Sequence, residues 1–250
     1  MSASRFILPA LLAAIAAARV EAQEPAPAEL YKSCLKKIEF SPKDAFEDAI
    51  QWQGEGGGSP SMHCAASALI ALGLYVEAAK RLEALAQSVK EGPHFKAQVL
   101  DQAVLAWLLA DNPIRAEAVA TTALKLTGNS PALLIGRAQA RAALGDYSGA
   151  RKDLDIVLTI FPNHTTALAF RAAAFRHLNK PAAALEDTNA ALAVNPNHPE
   201  ALLERGMLKR LAGDPAGARA DWLRLLKLAP ETGAATIARS NLEDMDLNIQ

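Results

Sequence analysis

Residues 131–232 read PALLIGRAQARAALGDYSGARKDLDIVLTIFPNH (131–164), TTALAFRAAAFRHLNKPAAALEDTNAALAVNPNH (165–198) and PEALLERGMLKRLAGDPAGARADWLRLLKLAPET (199–232), three segments of 34 residues with no gap between them. The same residue types recur at the same offsets. Position 15 is Gly145, Asn179 and Gly213, position 20 is Ala150, Ala184 and Ala218, and position 32 is Pro162, Pro196 and Pro230. Such a period marks a stack of supersecondary units, none of which can bury its apolar face alone. Each unit divides into two helices by its own chemistry. A glycine or asparagine at position 15 accepts the left-handed conformation that ends a first helix. Proline at position 32 lacks the N–H that would continue a second one. Small residues at position 8 (Ala138, Ala172, Gly206) and position 20 let the two helices pack at short distance. Position 17 is Tyr147, Pro181 and Pro215, and proline is tolerated in a first helical turn.

This pattern resembles the tetratricopeptide repeat (TPR), a helix–turn–helix unit of the same length. Two less regular units lie upstream. Gly73, Tyr75 and Ala78 match positions 15, 17 and 20 of a unit at 59–92, and Asp111, Pro113, Ala116 and Ala123 match positions 15, 17, 20 and 27 of a unit at 97–130. The offset between them is 38, which places about four extra residues around Glu91 to Phe95. The resemblance therefore covers residues 59–230 in five units: 59–92, 97–130, 131–164, 165–198 and 199–232. It implies an all-α fold, a right-handed helical solenoid of antiparallel helix pairs. Residues 23–58 are expected to hold an irregular helix pair (Glu29 to Lys37, Pro42 to Trp52) and a Gly-rich linker from Gly54 to Pro60. Residues 231–250 are expected to supply a capping helix, because the last hairpin of a solenoid otherwise exposes an apolar face.

The three regular units share one further feature. Position 7 is Arg137, Arg171 and Arg205, and position 23 is Asp153, Asp187 and Asp221. Each lies eight positions from the turn at position 15, roughly 12 Å along its helix at 1.5 Å per residue. In an antiparallel hairpin the two stand at the same height, so the spacing predicts one structural Arg–Asp pair per unit. Charge matching argues against these arginines as a binding site for an acidic ligand. The first two units carry Ala65 and Ala103 at position 7 and lack the pair.

Residues 1–22 have the pattern of a secretory signal peptide. Arg5 gives a positive start, Phe6 to Ala18 is apolar, and Val20-Glu21-Ala22 places small residues at a cleavage site. The apolar stretch is short for a bilayer span, and nothing later is apolar enough to be one. The expectation is an exported protein, periplasmic or secreted, with no integral membrane segment after cleavage. An exported chain with two cysteines, Cys34 and Cys64, permits one disulfide; both fall in first-type helices that neighbour each other in such a stack. There is no C-x-x-C for redox catalysis. A net charge of −1 and no Lys/Arg run leave no field for nucleic acid.

No constellation for chemistry emerges. The five histidines (His63, His94, His164, His177, His198) form neither H-x-x-x-H nor H-E-x-x-H, so no metal site is expected. Gly56-Gly57-Gly58 lacks the Gly-Lys-Ser/Thr of a phosphate loop, and no G-x-S-x-G occurs. The chain is expected to be no enzyme and to need no cofactor.

What the resemblance implies is protein binding. In TPR proteins the concave face is lined by positions 2, 5, 9, 12 and 13 of the first helix. These are Pro60, His63, Ser67, Ile70 and Ala71 in the first unit, and Gln98, Asp101, Leu105, Leu108 and Leu109 in the second. The third offers Ala132, Ile135, Gln139, Ala142 and Ala143. The fourth offers Thr166, Ala169, Ala173, Arg176 and His177, and the fifth Glu200, Leu203, Met207, Arg210 and Leu211. Leu105, Leu108, Gln139, Arg176, His177, Leu203, Met207 and Arg210 are the candidates for contact with a partner. The lining is mostly small and apolar, and the Lys/Arg/Asn set of a chaperone-type carboxylate clamp is absent. An apolar segment of another protein, extended or helical, fits such a groove. The alternative is a structural subunit of a larger envelope complex with no groove function.

Overall fold

A computed structural model describes residues 27–247, and the expected signal peptide lies outside the described residues. The described chain forms thirteen helices and no strand. An N-terminal pair, α1 (Pro27–Ile38) and α2 (Pro42–Gly54), precedes five hairpins. These are α3 (Gly58–Ala71) with α4 (Tyr75–Ser88), α5 (Pro93–Leu109) with α6 (Pro113–Thr127), and α7 (Pro131–Ala143) with α8 (Tyr147–Ile160). Then come α9 (Thr165–His177) with α10 (Pro181–Val194) and α11 (Pro199–Leu211) with α12 (Pro215–Leu228). Helix α13 (Gly233–Leu247) closes the stack.

Every hairpin turns at position 15 in the same way. Gly73, Asp111, Gly145, Asn179 and Gly213 all have positive φ, from 53° to 82°. The N–H of the next residue then closes on a carbonyl five residues back, as Leu74 does on Leu69 and Lys180 on Phe175, each at 2.9 Å. This left-handed closure satisfies carbonyls that the helix end leaves open. Asparagine and aspartate replace glycine in two units because they tolerate the left-handed region best among non-glycine residues. The second helix is then capped where the sequence supplies an acceptor: Asn112, Asp146 and Asp214 accept from the N–H three residues on.

The first helices of successive units pack side by side along the inner face, as α5 does on α7 and α9 on α11, while the second helices splay along the outer face. Alanine fills the contacts within hairpins: Ala78, Ala116, Ala150, Ala184 and Ala218 at position 20 are all fully buried or nearly so. The last unit departs from this rule by exchange of volume. Trp222 is fully buried where Leu154 and Thr188 stand in the two units before it. Gly206 makes the room; a Cβ there would lie 2.3 Å from Trp222 Nε1, which donates to the Leu203 carbonyl at 3.2 Å. Helix α13 continues the period as an unaccompanied first helix. It buries Ala234, Ala235, Ala238, Leu242 and Met245, and Asn241, 34 residues after Met207, donates to that sulfur.

One expectation for the N-terminal half needs correction. The Gly54–Pro60 stretch is no linker, since α3 already begins at Gly58. Gly56 and Gly58 take positive φ, the Gly57 N–H closes on the Trp52 carbonyl at 2.8 Å, and the Trp52 ring lies where a Gly57 Cβ would be. The glycines make a tight corner, packed under an indole. The extra residues near Glu91 fall partly inside a helix: Pro93 starts a helix of 17 residues, so part of the insertion adds a turn to α5.

Candidate protein-binding groove

The charged residues inside the hairpins occupy fixed places. Arg137 donates from Nε and Nη2 to Asp153 at 2.9 and 2.7 Å, Arg171 to Asp187 at 2.8 and 2.8 Å, and Arg205 to Asp221 at 2.8 and 2.6 Å. All three pairs are bidentate, and all three aspartates are buried. Their remaining bonds tie units together. Arg141 joins Asp153 at 2.8 Å to Glu117 of the preceding hairpin at 2.9 Å, and Arg171 also reaches Asp155 on α8 at 2.9 Å. In the last unit Lys209 adds a second cation to Asp221 at 2.8 Å. Nothing here is left over for a ligand. The rung-free units use a different joint, which the repeat pattern does not announce: Glu83 accepts from Trp107 Nε1 at 2.6 Å and from Arg115 Nη2 at 2.7 Å.

The concave face opens where α3 and α5 stand apart. A cleft of about 480 Å³ lies there, bounded by Tyr31 of α1, Pro60 and His63 of α3, and Phe95, Gln98, Asp101 and Gln102 of α5. A second cleft of about 590 Å³ runs on between α5 and α7, lined by Leu105, Leu108, Ala132, Ile135 and Gln139. Asp101 and Gln102 belong to both, so the two make one groove. Leu105 is 50% exposed in it. Its N-terminal wall is held by a disulfide. Cys34 of α1 is bonded to Cys64 of α3, and next to that link the Tyr31 hydroxyl meets His63 Nδ1 at 2.8 Å.

Residues 200–232 match the sequence profile of the tetratricopeptide repeat. The chain has the fold of tetratricopeptide repeat proteins. Solved structures carry the same fold across most of its length. A TPR protein from Parabacteroides merdae superposes with a TM-score of 0.70 at 16% identity, over 87% of this chain and 84% of that one. TTC0263, a thermophilic TPR protein of Thermus thermophilus, gives 0.62 at 19% identity, over 74% and 99%. YrrB, a TPR protein with an unusual peptide-binding site, gives 0.55 at 18% identity, over 70% and 86%. No curated protein matches the sequence.

Within this TPR groove the candidate residues divide. Leu105, Leu108 and Gln139 line the open cleft. Leu203 does not: it is buried at 7% exposure in the core with Met207 packed beside it, because α13 closes over the last unit. Arg176 is not a free cation either. It forms a bidentate pair with buried Glu204, Nε to Oε2 at 2.8 Å and Nη2 to Oε1 at 3.2 Å, across the α9–α11 contact. His177 stacks on Tyr147 with centroids 4.1 Å apart. Arg210 stays half-exposed on α11.

The TPR junction histidines act as helix caps. His164 Nδ1 accepts from Ala167 N–H at 3.3 Å and His198 Nδ1 from Ala201 N–H at 3.4 Å. The His198 ring also meets Glu200, Nδ1 to Oε2 at 3.3 Å, and its Nε2 faces Thr166 Oγ1 at 3.3 Å. Among the described residues no three His, Cys, Asp or Glu side chains are grouped to hold a metal. Burial lowers the affinity of His198 for a proton, against the opposing pull of Glu200, and burial likewise lowers that of His63. A histidine depressed on folding takes up its proton more readily in the unfolded chain, so stability rises with pH through its range. The expected result is a melting temperature that is level above about pH 7 and falls as pH drops below the ordinary imidazole value near 6.5. A second loss follows in stronger acid. Burial alone would raise the Asp221 carboxyl, but Arg205 and Lys209 outweigh it and hold it below the usual carboxylate range. Its contribution is therefore present above about pH 4 and disappears as that carboxylate is protonated. Melting curves from pH 8 to 3 check both steps; a level profile down to pH 5 would contradict the first.

Proposed function

We propose that this protein is a non-catalytic interaction scaffold or assembly factor of the periplasm or cell envelope, and that it holds a segment of a partner protein in the concave groove across α3, α5 and α7. The observation that carries this reading is the groove itself: two adjoining clefts, apolar along one wall, into which Leu105 projects half-exposed while Val104 and Ala106 beside it in α5 are buried. A groove of that kind takes a peptide's alternate side chains or one face of a helix. YrrB, with its peptide-binding site, offers a precedent on the same fold. Two features support an exported location: the sequence of residues 1–22, and the Cys34–Cys64 disulfide, a bond that persists in oxidising compartments. For a non-catalytic role speaks the use of the polar side chains. Rungs and interhelix pairs account for most of the arginines and for the buried carboxylates.

Leu105→Asn tests the groove reading. It replaces an exposed apolar contact by a neutral polar one, and the melting temperature should stay within a degree or two. Recovery of the co-purifying partner from the source organism should fall about tenfold, the value of one apolar side chain at an interface. Undiminished recovery would mean that partners bind elsewhere.

A further inference from the structure

The charged lining of the groove has one sign. Two carboxylates, Asp101 and Glu91, border the clefts, and no lysine or arginine does. Glu91 is engaged by Ser59 Oγ at 3.1 Å and lies at the rim. Asp101 is at the centre, shared by both clefts, half-buried on α5.

Asp101 differs from every comparable aspartate in the described chain. The four others that are not exposed, Asp153, Asp155, Asp187 and Asp221, each meet at least one arginine within 2.9 Å. Asp101 has no hydrogen-bond or ion-pair partner among the described residues. Burial raises its pKa, and no cation offsets the effect. A desolvated carboxylate beside apolar walls is costly until it is paired. This solenoid pairs such groups everywhere else, so the exception marks a position completed from outside.

We propose that the groove binds an extended polypeptide segment carrying a lysine or arginine, whose side chain pairs with Asp101 while apolar residues on either side seat against Leu105 and Ile135 and against Phe95 and Pro60. This rests on the groove reading above and specifies its ligand. Arginine satisfies the carboxylate by a bidentate bond and lysine by a point charge, and the stem of either covers apolar wall. The chain's own residues 20–31 are of the wrong charge to fill the place, with Glu21, Glu24 and Glu29 and no Lys or Arg.

The test uses an array of nonapeptides with flanks randomised among apolar residues and a central Lys, Arg, Met or Glu, probed with the full chain and with two variants. Central Lys and Arg peptides should be retained about tenfold or more above Met, with Glu weakest, and the preference should shrink as salt is raised. Asp101→Asn, which keeps the shape, should remove the preference while leaving Met peptides bound. Leu105→Asn should weaken all of them. If Met peptides bind as well as Lys peptides and Leu105→Asn weakens both, the groove stands and the pairing with Asp101 is overturned. If no peptide binds, or Leu105→Asn changes nothing, the groove reading falls and the pairing with it.

Discussion

Arg171→Ala is expected to destabilise the protein by about 3–5 kcal/mol, the cost of leaving a buried carboxylate without its partner. Asp187 is the aspartate most exposed to that loss, because Arg171 is its only cation among the described residues. Asp153 and Asp221 each have a second one, in Arg141 and Lys209. The reciprocal change is milder. In Asp187→Ala, Arg171 keeps Asp155 as a partner at 2.9 Å, so the guanidinium is not stranded. The double change, Arg171→Ala with Asp187→Ala, removes both charges and should recover most of the loss, since a buried pair and its apolar replacement are often near equal. The order of melting temperatures is therefore wild type, then the double variant and Asp187→Ala, then Arg171→Ala lowest. Equal melting of the single and double arginine variants would show that the rung is no coupled pair. Solenoids need not unfold in one step, so the loss should appear in the transition that contains α9 and α10.

Removing the Cys34–Cys64 disulfide comes next in size. The bond closes a loop of 30 residues, for which the chain-entropy account gives about 3–4 kcal/mol. The loss should be local. Among the described helices α1 rests mainly on α2 and α3, so Cys34→Ser with Cys64→Ser, or mild reduction, should release α1 before the rest of the stack melts. Amide exchange would show early loss of protection at 27–38 with α7 to α12 unchanged. The groove should suffer too, because Tyr31 leaves its N-terminal wall with α1. Protection of α1 that survives reduction would show that packing alone holds it.

The parts of this structure that can be read in the sequence are those that repeat. Position 15 is legible because only a few residues accept the conformation that the turn demands, and the rungs because positions 7 and 23 are equidistant from that turn. What cannot be read depends on how one unit is rotated against the next. Arg176 and Glu204 lie 28 residues apart on neighbouring first helices, and a repeat pattern that treats each unit alone makes Arg176 a free groove cation. Leu203 occupies a groove position by offset, yet it is buried because the last unit holds a tryptophan and is covered by α13. Asp101 stands in the lining by offset as well. What singles it out is the missing partner, and that requires knowing the partners of all the others.

The most direct test of the central claim, that the inner face of α5 receives a partner polypeptide, is crosslinking from two places on the same hairpin. A photo-reactive phenylalanine analogue at Leu105 lies in the groove, and one at Ile114, 71% exposed at the start of α6, lies away from it. Irradiated in the source organism and resolved by mass spectrometry, the chain should form a defined adduct with a polypeptide from position 105, lost when Asp101→Asn and Ile135→Asn are combined with it, and none from position 114. An adduct from position 114 with none from position 105 would contradict the account.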